Sequence, residues 1–271
     1  VYGFGGMSFG MAIKYIGYSL TYTIAIGISA VVGTLIPLLV FSGINGIVLK
    51  FTKPGGGIVL AGMIISILGV ALCGLAGFRK EKDLKAGRQE DPNFKMTTGL
   101  MLAIIGGVLS GIFNVSLEYG QPISDLAAER GAAHFEGNAK LIVSTAGCFF
   151  VNIIWFIIAG IRQGTLREIA PREGISSGQF AKNYFLCALT GTFWSMQFFF
   201  YGLGHVKMGN FMFISWGLHM SMLIFFSYVI GVIMKEWRGV TRRTYVTLVI
   251  ALVVLVGSFI IMSYGSFIGE S

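Results

Sequence analysis

Charge is scarce in this chain. Only 12% of its 271 residues are Asp, Glu, Lys or Arg, about half the share found in soluble domains. Cysteine is nearly absent. Cys73, Cys148 and Cys187 are separated and sit within apolar stretches, so they give neither a disulfide framework nor a metal-ligand spacing and read as small apolar fillers. Enzyme signatures are missing as well. There is no HExxH, no GxSxG, no Walker loop and no carboxylate pair inside an apolar segment. Gly55-Gly56-Gly57 lacks a following Lys-Ser or Lys-Thr and reads as a loop. A non-enzymatic protein is expected, with no cofactor and no metal site. No polar stretch carries enough apolar residues to build a soluble domain.

What fills the chain is hydrophobic. Apolar residues make up 55%, and the mean hydropathy is +0.78. Seven long apolar runs recur, with a shorter one before them: A (1–16), B (19–40), C (57–78), D (96–116), E (141–161), F (183–203), G (211–234) and H (245–267). A helix crossing a hydrocarbon layer of about 30 Å needs about 20 apolar residues, and these runs are too long and too uniformly apolar for barrel strands. The expected fold is an all-α integral membrane protein, solvated by the lipid bilayer. Glycine, at 39 residues, suits close backbone approach between such helices; Gly6 and Gly10 form one small-xxx-small pair of that kind. A short external helix is expected over 124–130. Pro37, near the outer end of B, kinks or ends its helix.

The formal net charge of +8 invites a nucleic-acid reading, but the positions argue for membrane topology instead. If the loops alternate sides, Lys14, Arg79, Lys80, Lys82, Lys85, Arg88, Lys95, Arg162, Arg167, Arg172, Lys182, Lys235, Arg238, Arg242 and Arg243 share one side, and only Lys50, Lys53, Arg130, Lys140 and Lys207 the other. That is the positive-inside pattern. It places loops 79–95, 162–182 and 235–243 in the cytoplasm, and the acidic loop 117–140 and the C-terminus outside. Nucleic acid is not an expected partner.

A weak internal repeat adds to this. A through C and F through H share a pattern of small-rich helix, tight turn (Lys14–Gly17 and Val206–Gly209) and two further helices. Five crossings separate the copies, so they run in opposite directions. Inverted repeats of this kind mark secondary transporters.

Polar groups in lipid are costly and default to function. The one readily titratable side chain deep in a span is His219 in G, about eight residues inside the outer end, or about 12 Å. It changes charge near physiological pH and is the candidate proton-coupling group, with Glu118 at the outer mouth as a second. Ser215, Trp216 and His219 share one helix face in G; Thr190, Trp194, Gln197 and Tyr201 share one in F; Gly107, Gly111, Asn114 and Glu118 share one in D; E offers Thr145, Cys148 and Asn152. Gln197, Tyr201, Trp194, Trp216, Asn114, Ser215 and Asn152 are the candidate substrate-binding residues. Amides, hydroxyls and imidazole match sugar hydroxyls, indole rings cover a sugar's C–H face, and no buried Arg or Lys awaits an anion. A small neutral polyhydroxylated molecule and a proton are the expected cargo. The competing reading gives Asn, Gln and Thr a role as glue between helices and Trp and Tyr a role as interface anchors. His205, at the end of F, reads as a solvated loop histidine, and Lys14 as a snorkelling one.

The run Trp194-Ser195-Met196-Gln197-Phe198-Phe199-Phe200-Tyr201-Gly202-Leu203-Gly204-His205, then Ile214-Ser215-Trp216-Gly217-Leu218-His219-Met220-Ser221 and Lys235-Glu236-Trp237, resembles the L-rhamnose–proton symporters of the drug/metabolite transporter superfamily. Gly10 to Ser19 and the stretch from Ala25 to Thr34 support the likeness, which extends over essentially the whole chain. The resemblance implies a ten-helix carrier of the bacterial inner membrane, built as two inverted five-helix halves. This chain would hold eight of the ten as a single transporter domain over 1–271, lacking the first two, with 1–116 mostly in the first half and 141–267 in the inverted second. It also implies import of L-rhamnose or a related 6-deoxyhexose with a proton. Gly6, Ser8 and Glu118 depart from the asparagines found at these places in a member of that family, a departure that bears on which sugar is preferred if those positions line the cavity. A carrier or exporter of another small metabolite on the same fold is the alternative, and a membrane sensor that binds sugar without moving it is a further one.

Overall fold

The computed structural model describes residues 1–85, 94–171 and 176–270. Arg88 and Arg172 lie outside the described residues. The described chain is helical throughout, with no strand. Eight long helices stand where the eight apolar runs stand: α1 (Tyr2–Ile16), α2 (Tyr18–Thr52), α3 (Gly56–Lys85), α4 (Met96–Tyr119), α6 (Glu136–Gln163), α7 (Ser177–His205), α8 (Ser215–Ile233) and α9 (Arg242–Glu270). The short α5 (Gln121–Ala127) and a following π-helical turn, Ala128–Ala132, occupy the acidic loop close to where a short helix was expected. Six helical stretches among the described residues are long and apolar enough to cross a membrane, so this is an integral membrane helical protein. Two of the eight fall short. α1 has 15 residues, about 22 Å of rise. α7 is long but diluted by Thr190, Thr192, Ser195 and Gln197, two of which, Thr190 and Gln197, belong to the stripe that marked it as a candidate site.

The helices group into two units, 1–119 with 208–271, and 120–207. In the first, α3 packs on α9, α4 packs on both α2 and α1, and α8 packs on α2. Small residues let these backbones meet. A Cβ built on Gly107 would stand 2.6 Å from the Ala25 carbonyl oxygen, and one on Gly111 2.7 Å from a Val32 methyl and 2.9 Å from Gly33 N. The stripe Gly107–Gly111–Asn114 is thus the seam between α4 and α2. Gly6 and Gly10 do not have the packing role expected of them. Both are exposed, and nothing among the described residues stands within 4 Å of a Cβ at either. The close approach of α1 to α4 runs instead through Gly5, whose Cβ would lie 3.1 Å from the Gly106 oxygen. A face chosen by four-residue spacing was off by one position.

Turn chemistry fixes the connections. Gly17, at φ 80°, makes the tight link between α1 and α2, a backbone state that only glycine adopts cheaply. Asp83, near the end of α3, accepts hydrogen bonds from Thr241 N and Oγ1, both 2.9 Å, and from Thr244 Oγ1 at 2.7 Å, tying α3 to the first turn of α9. Buried clusters fill this unit, among them one of Ala12, Ile16, Leu20 and Ala103 between α1, α2 and α4. A second gathers Cys73, Ile224, Tyr228, Trp237, Leu248 and Leu255, and a third gathers Val59, Phe211, Ile214 and Met262. Large apolar side chains such as Ile64, Leu68, Val253 and Ile260 remain exposed, as lipid-facing surfaces do.

The second unit holds α5, α6 and α7, with α6 packed on both α5 and α7. Gly137 meets the Gly202 carbonyl oxygen at 2.6 Å from its built Cβ. Lys140, read from the sequence as an outer-loop cation, is 2% exposed and donates to Gln121 Oε1 at 2.7 Å, while Gln121 Nε2 donates to Asp125 at 2.9 Å.

Gly111→Val should push the α4 and α2 backbones apart. Overpacking of this kind costs about 1–3 kcal/mol. A thermal melt of detergent-purified protein followed by size-exclusion should show a transition several degrees lower than that of the unaltered chain.

Candidate functional site

Helix α2 carries the first part of the site through a fault in its own backbone. In a regular helix the N–H of residue 37 donates to the carbonyl of residue 33. Residue 37 is proline and has no N–H, so the Gly33 carbonyl loses its donor. Asn114 on α4 supplies another: its Nδ2 donates to the Gly33 oxygen at 2.8 Å, both groups buried. One turn earlier, Trp216 on α8 donates its indole N–H to the Ser29 carbonyl at 3.0 Å. The indole lies so close to Gly33 that a Cβ there would collide with it. Below Pro37 the helix continues to Gly43, whose φ 62°, ψ 178° breaks it again. Two of the three groups expected to meet cargo on α4 and α8, the Asn114 amide and the Trp216 indole, therefore hold an interrupted helix in shape.

His219 stands one turn from Trp216, half-buried, with ring centroids 6.2 Å apart. Trp216 is fully buried and Ser215 is 5% exposed, and Phe113 lies 6.0 Å from the indole. The free space beside this face is small. A cavity lined by Thr34, Ser66, Gly217 and Ser221 holds about 60 Å³, enough for water but well short of the about 300 Å³ at which small-molecule sites begin. Ser66 and Ser221 hydroxyls pair across it at 2.8 Å. Glu118 ends α4 half-buried and acts electrostatically on Lys50, which itself sits 4.9 Å over the Phe213 ring.

The second unit holds the other candidates. A concavity of about 580 Å³ is lined by Thr145, Cys148 and Asn152 of α6 and by Trp194 of α7, the polar stripe of one helix facing an indole of the other. Asn152 donates to the Cys148 oxygen at 2.8 Å and approaches its sulfur at 3.1 Å; its amide oxygen is not used in these bonds. Trp194 is 43% exposed, and Gln197, one turn on and half-buried, makes no hydrogen bond among the described residues. Tyr201 is 7% exposed, with its hydroxyl 3.4 Å from His205 Nδ1. His205 is not the solvated histidine its position suggested: it is 3% exposed, because the last turn of α7 packs onto the first turns of α6 through Gly202 and Gly137.

The chain matches the family model for the L-rhamnose-proton symport protein over residues 1–267. It belongs to that family. Among its relatives are the L-rhamnose-proton symporter of Yersinia pestis (strain Pestoides F), 29% identical over 94% of this chain and 73% of the relative, and that of Pectobacterium atrosepticum, with the same identity and coverage. No solved structure matches. Family membership and the six membrane-capable stretches make this a multi-pass protein of the bacterial inner membrane.

Sequence reading missed Lys80. It was counted among solvated inner-loop cations, yet it is 5% exposed, held by Ser19 Oγ at 3.1 Å and Glu236 Oε2 at 3.2 Å. The one available signal was the aromatic beside its partner, in Lys235-Glu236-Trp237.

Asn114→Leu removes the donor that replaces the missing proline N–H. An unsatisfied buried carbonyl costs about 1–3 kcal/mol. The variant should melt earlier than wild type, and Asn114→Gln should not rescue it, because the amide is then one methylene too far along α4. A Leu variant as stable as the parent would show that Asn114 is not needed to hold α2.

Proposed function

We propose that this chain is a proton-coupled symporter that imports L-rhamnose or a closely related 6-deoxyhexose by alternating access. The observation that carries the sugar assignment is the α6–α7 concavity. Its volume lies within the range of small-molecule sites. It pairs an exposed indole with amide and hydroxyl groups, and Gln197 lies one turn from that indole with its amide unspent. Membership in a symporter family supports the coupling to protons. Gln197, Trp194 and Asn152 contact the sugar, and Tyr201 backs Gln197 on the next turn of α7. On the other unit His219 takes the proton, Glu118 gathers it at the outer end of α4, and Asn114, Trp216 and Ser215 keep the surroundings of His219 in shape.

Coupling requires protonated and unprotonated forms to differ in affinity for sugar. His219 suits that role because an imidazole nitrogen can both accept and release a proton. The 15-to-5 distribution of basic residues supports an orientation with loops 79–95, 162–182 and 235–243 in the cytoplasm, and the inverted halves 1–116 and 141–267 fit a carrier that rocks between two faces.

The test uses the whole protein in membrane vesicles. With an inward proton gradient imposed, the unaltered chain should accumulate labelled L-rhamnose above equilibrium. His219→Ala should equilibrate sugar without accumulating it, and Gln197→Leu should raise the KM by about tenfold, the loss of one or two hydrogen bonds to cargo. Undiminished proton-driven accumulation by His219→Ala would remove His219 from the mechanism. A sugar panel in which L-rhamnose ranks low would favour a carrier of another metabolite.

A further inference from the structure

The first unit contains a second concavity, away from the seam at Asn114 and Trp216. It holds about 400 Å³ and is lined by Tyr18, Ser19, Tyr22, Tyr228, Glu236 and Trp237, among others. Its size is that of a small-molecule site. Tyr18 and Tyr22 stack with ring centroids 5.3 Å apart, and Tyr228 and Trp237 lie 5.6 Å apart on the other side of the lining. Tyr18 is 50% exposed and Glu236 52%, so the space reaches the surface.

The charges are what set this concavity apart from an apolar cleft. Lys80 is buried beneath it and gives its ammonium to Ser19 Oγ, to Glu236 Oε2 and to the face of Trp237, 4.9 Å from the ring centroid. A buried cation has all its interactions committed here, and its partner does not: only Oε2 of Glu236 is engaged by Lys80, and Oε1 makes no hydrogen bond among the described residues. A half-buried ion pair contributes little net stability, because desolvation offsets the attraction. Its evident effect is to fix one carboxylate oxygen at the rim of an aromatic hollow. Because the pair is neutral overall, it does not select an anion. Carboxylate oxygens accept strongly from hydroxyls, the hydroxyls of Ser19, Ser227, Tyr18 and Tyr22 on the same lining complete a set of donors and acceptors while that of Tyr228 is spent on Cys73 and Thr23, and aromatic faces meet C–H surfaces. The concavity sits where α3 ends, α2 begins and the segment after α8 returns, all on the side that the basic loops 79–95 and 235–243 assign to the cytoplasm.

We infer that this hollow is a second, cytoplasmic-end binding site for a neutral monosaccharide, with Glu236 as its hydroxyl acceptor. The inference rests on the sugar-symport reading above and extends it: cargo released inward is held here, between Tyr18, Tyr22 and Trp237, before it leaves. Lys80 is a positioning residue that holds the Glu236 carboxylate.

The test is transport kinetics of the reconstituted whole chain, with the KM for L-rhamnose measured separately from the outer face and from the cytoplasmic face. Glu236→Gln and Tyr18→Ala are both changes at half-exposed positions, and size-exclusion reports whether each variant is folded. Each should raise the cytoplasmic-face KM by about tenfold, the loss of one charge-assisted hydrogen bond or one aromatic contact, and raise it more than the outer-face KM. Two folded variants with wild-type KM values on both faces would overturn the inference and leave the symport reading standing. An equal rise on both faces would overturn it too, by making Glu236 part of a single shared site. A complete lack of L-rhamnose transport by the unaltered chain would overturn the symport reading and this inference with it.

Discussion

The interaction on which the first unit depends is a hydrogen bond that replaces one proline took away. In lipid no water stands ready to satisfy a freed carbonyl. Pro37 frees one at Gly33, and Asn114 answers it from the neighbouring helix. Trp216 adds a second side-chain bond one turn away. These two bonds draw α4 and α8 against the same interrupted stretch of α2, and the small residues Gly33, Gly107 and Gly111 make the approach possible. Broken helices at membrane depth are tolerated only where protein or a polar cavity compensates them. Here the compensation comes from protein, and it places His219 on the turn after Trp216.

This divides the polar groups of the spans into two kinds. Asn114, Trp216, Ser66 and Ser221 are spent on other parts of the protein. Gln197 and the Asn152 amide oxygen are not. A transporter needs both kinds: the first to keep a helix that bends from collapsing, the second to meet cargo. The Lys80–Glu236 pair belongs to both, since the lysine is fully used and the carboxylate only half used.

Much of the architecture was legible in the sequence. Eight apolar runs became eight helices because length and hydropathy dominate in lipid. Gly17 was readable as a turn, whereas the stretch read as a tight turn at Val206–Gly209 is the start of a 3-10 segment over Val206–Ile214 broken at Gly209. The polar stripe of α7 stands out in the sequence because lipid-facing surfaces rarely carry Thr190, Trp194 and Gln197 on one face. The partner of each polar group was not legible. Pro37 announced a kink, but nothing in one sequence says that Asn114, 77 positions away, would reach the carbonyl it frees. The same applies to Lys80 and His205, both placed in wet loops by their position at helix ends and both buried because helices extend past their apolar runs: α3 continues to Lys85 and α7 to His205. Apolar run length marks the lipid-exposed portion of a helix, and hydrogen-bonded backbone continues until a turn residue stops it. Gly6 and Gly10 show the same limit from the other side, since spacing alone could not tell which glycine face meets a neighbour.

The central claim is that the passage of a sugar through this protein is tied to a proton. The direct measurement is the external pH of a weakly buffered suspension of proteoliposomes containing the unaltered chain, with no gradient imposed and L-rhamnose added outside. The account predicts a transient alkalinisation as sugar and proton enter together, absent from protein-free liposomes. Entry of labelled L-rhamnose with no change in external pH would contradict it.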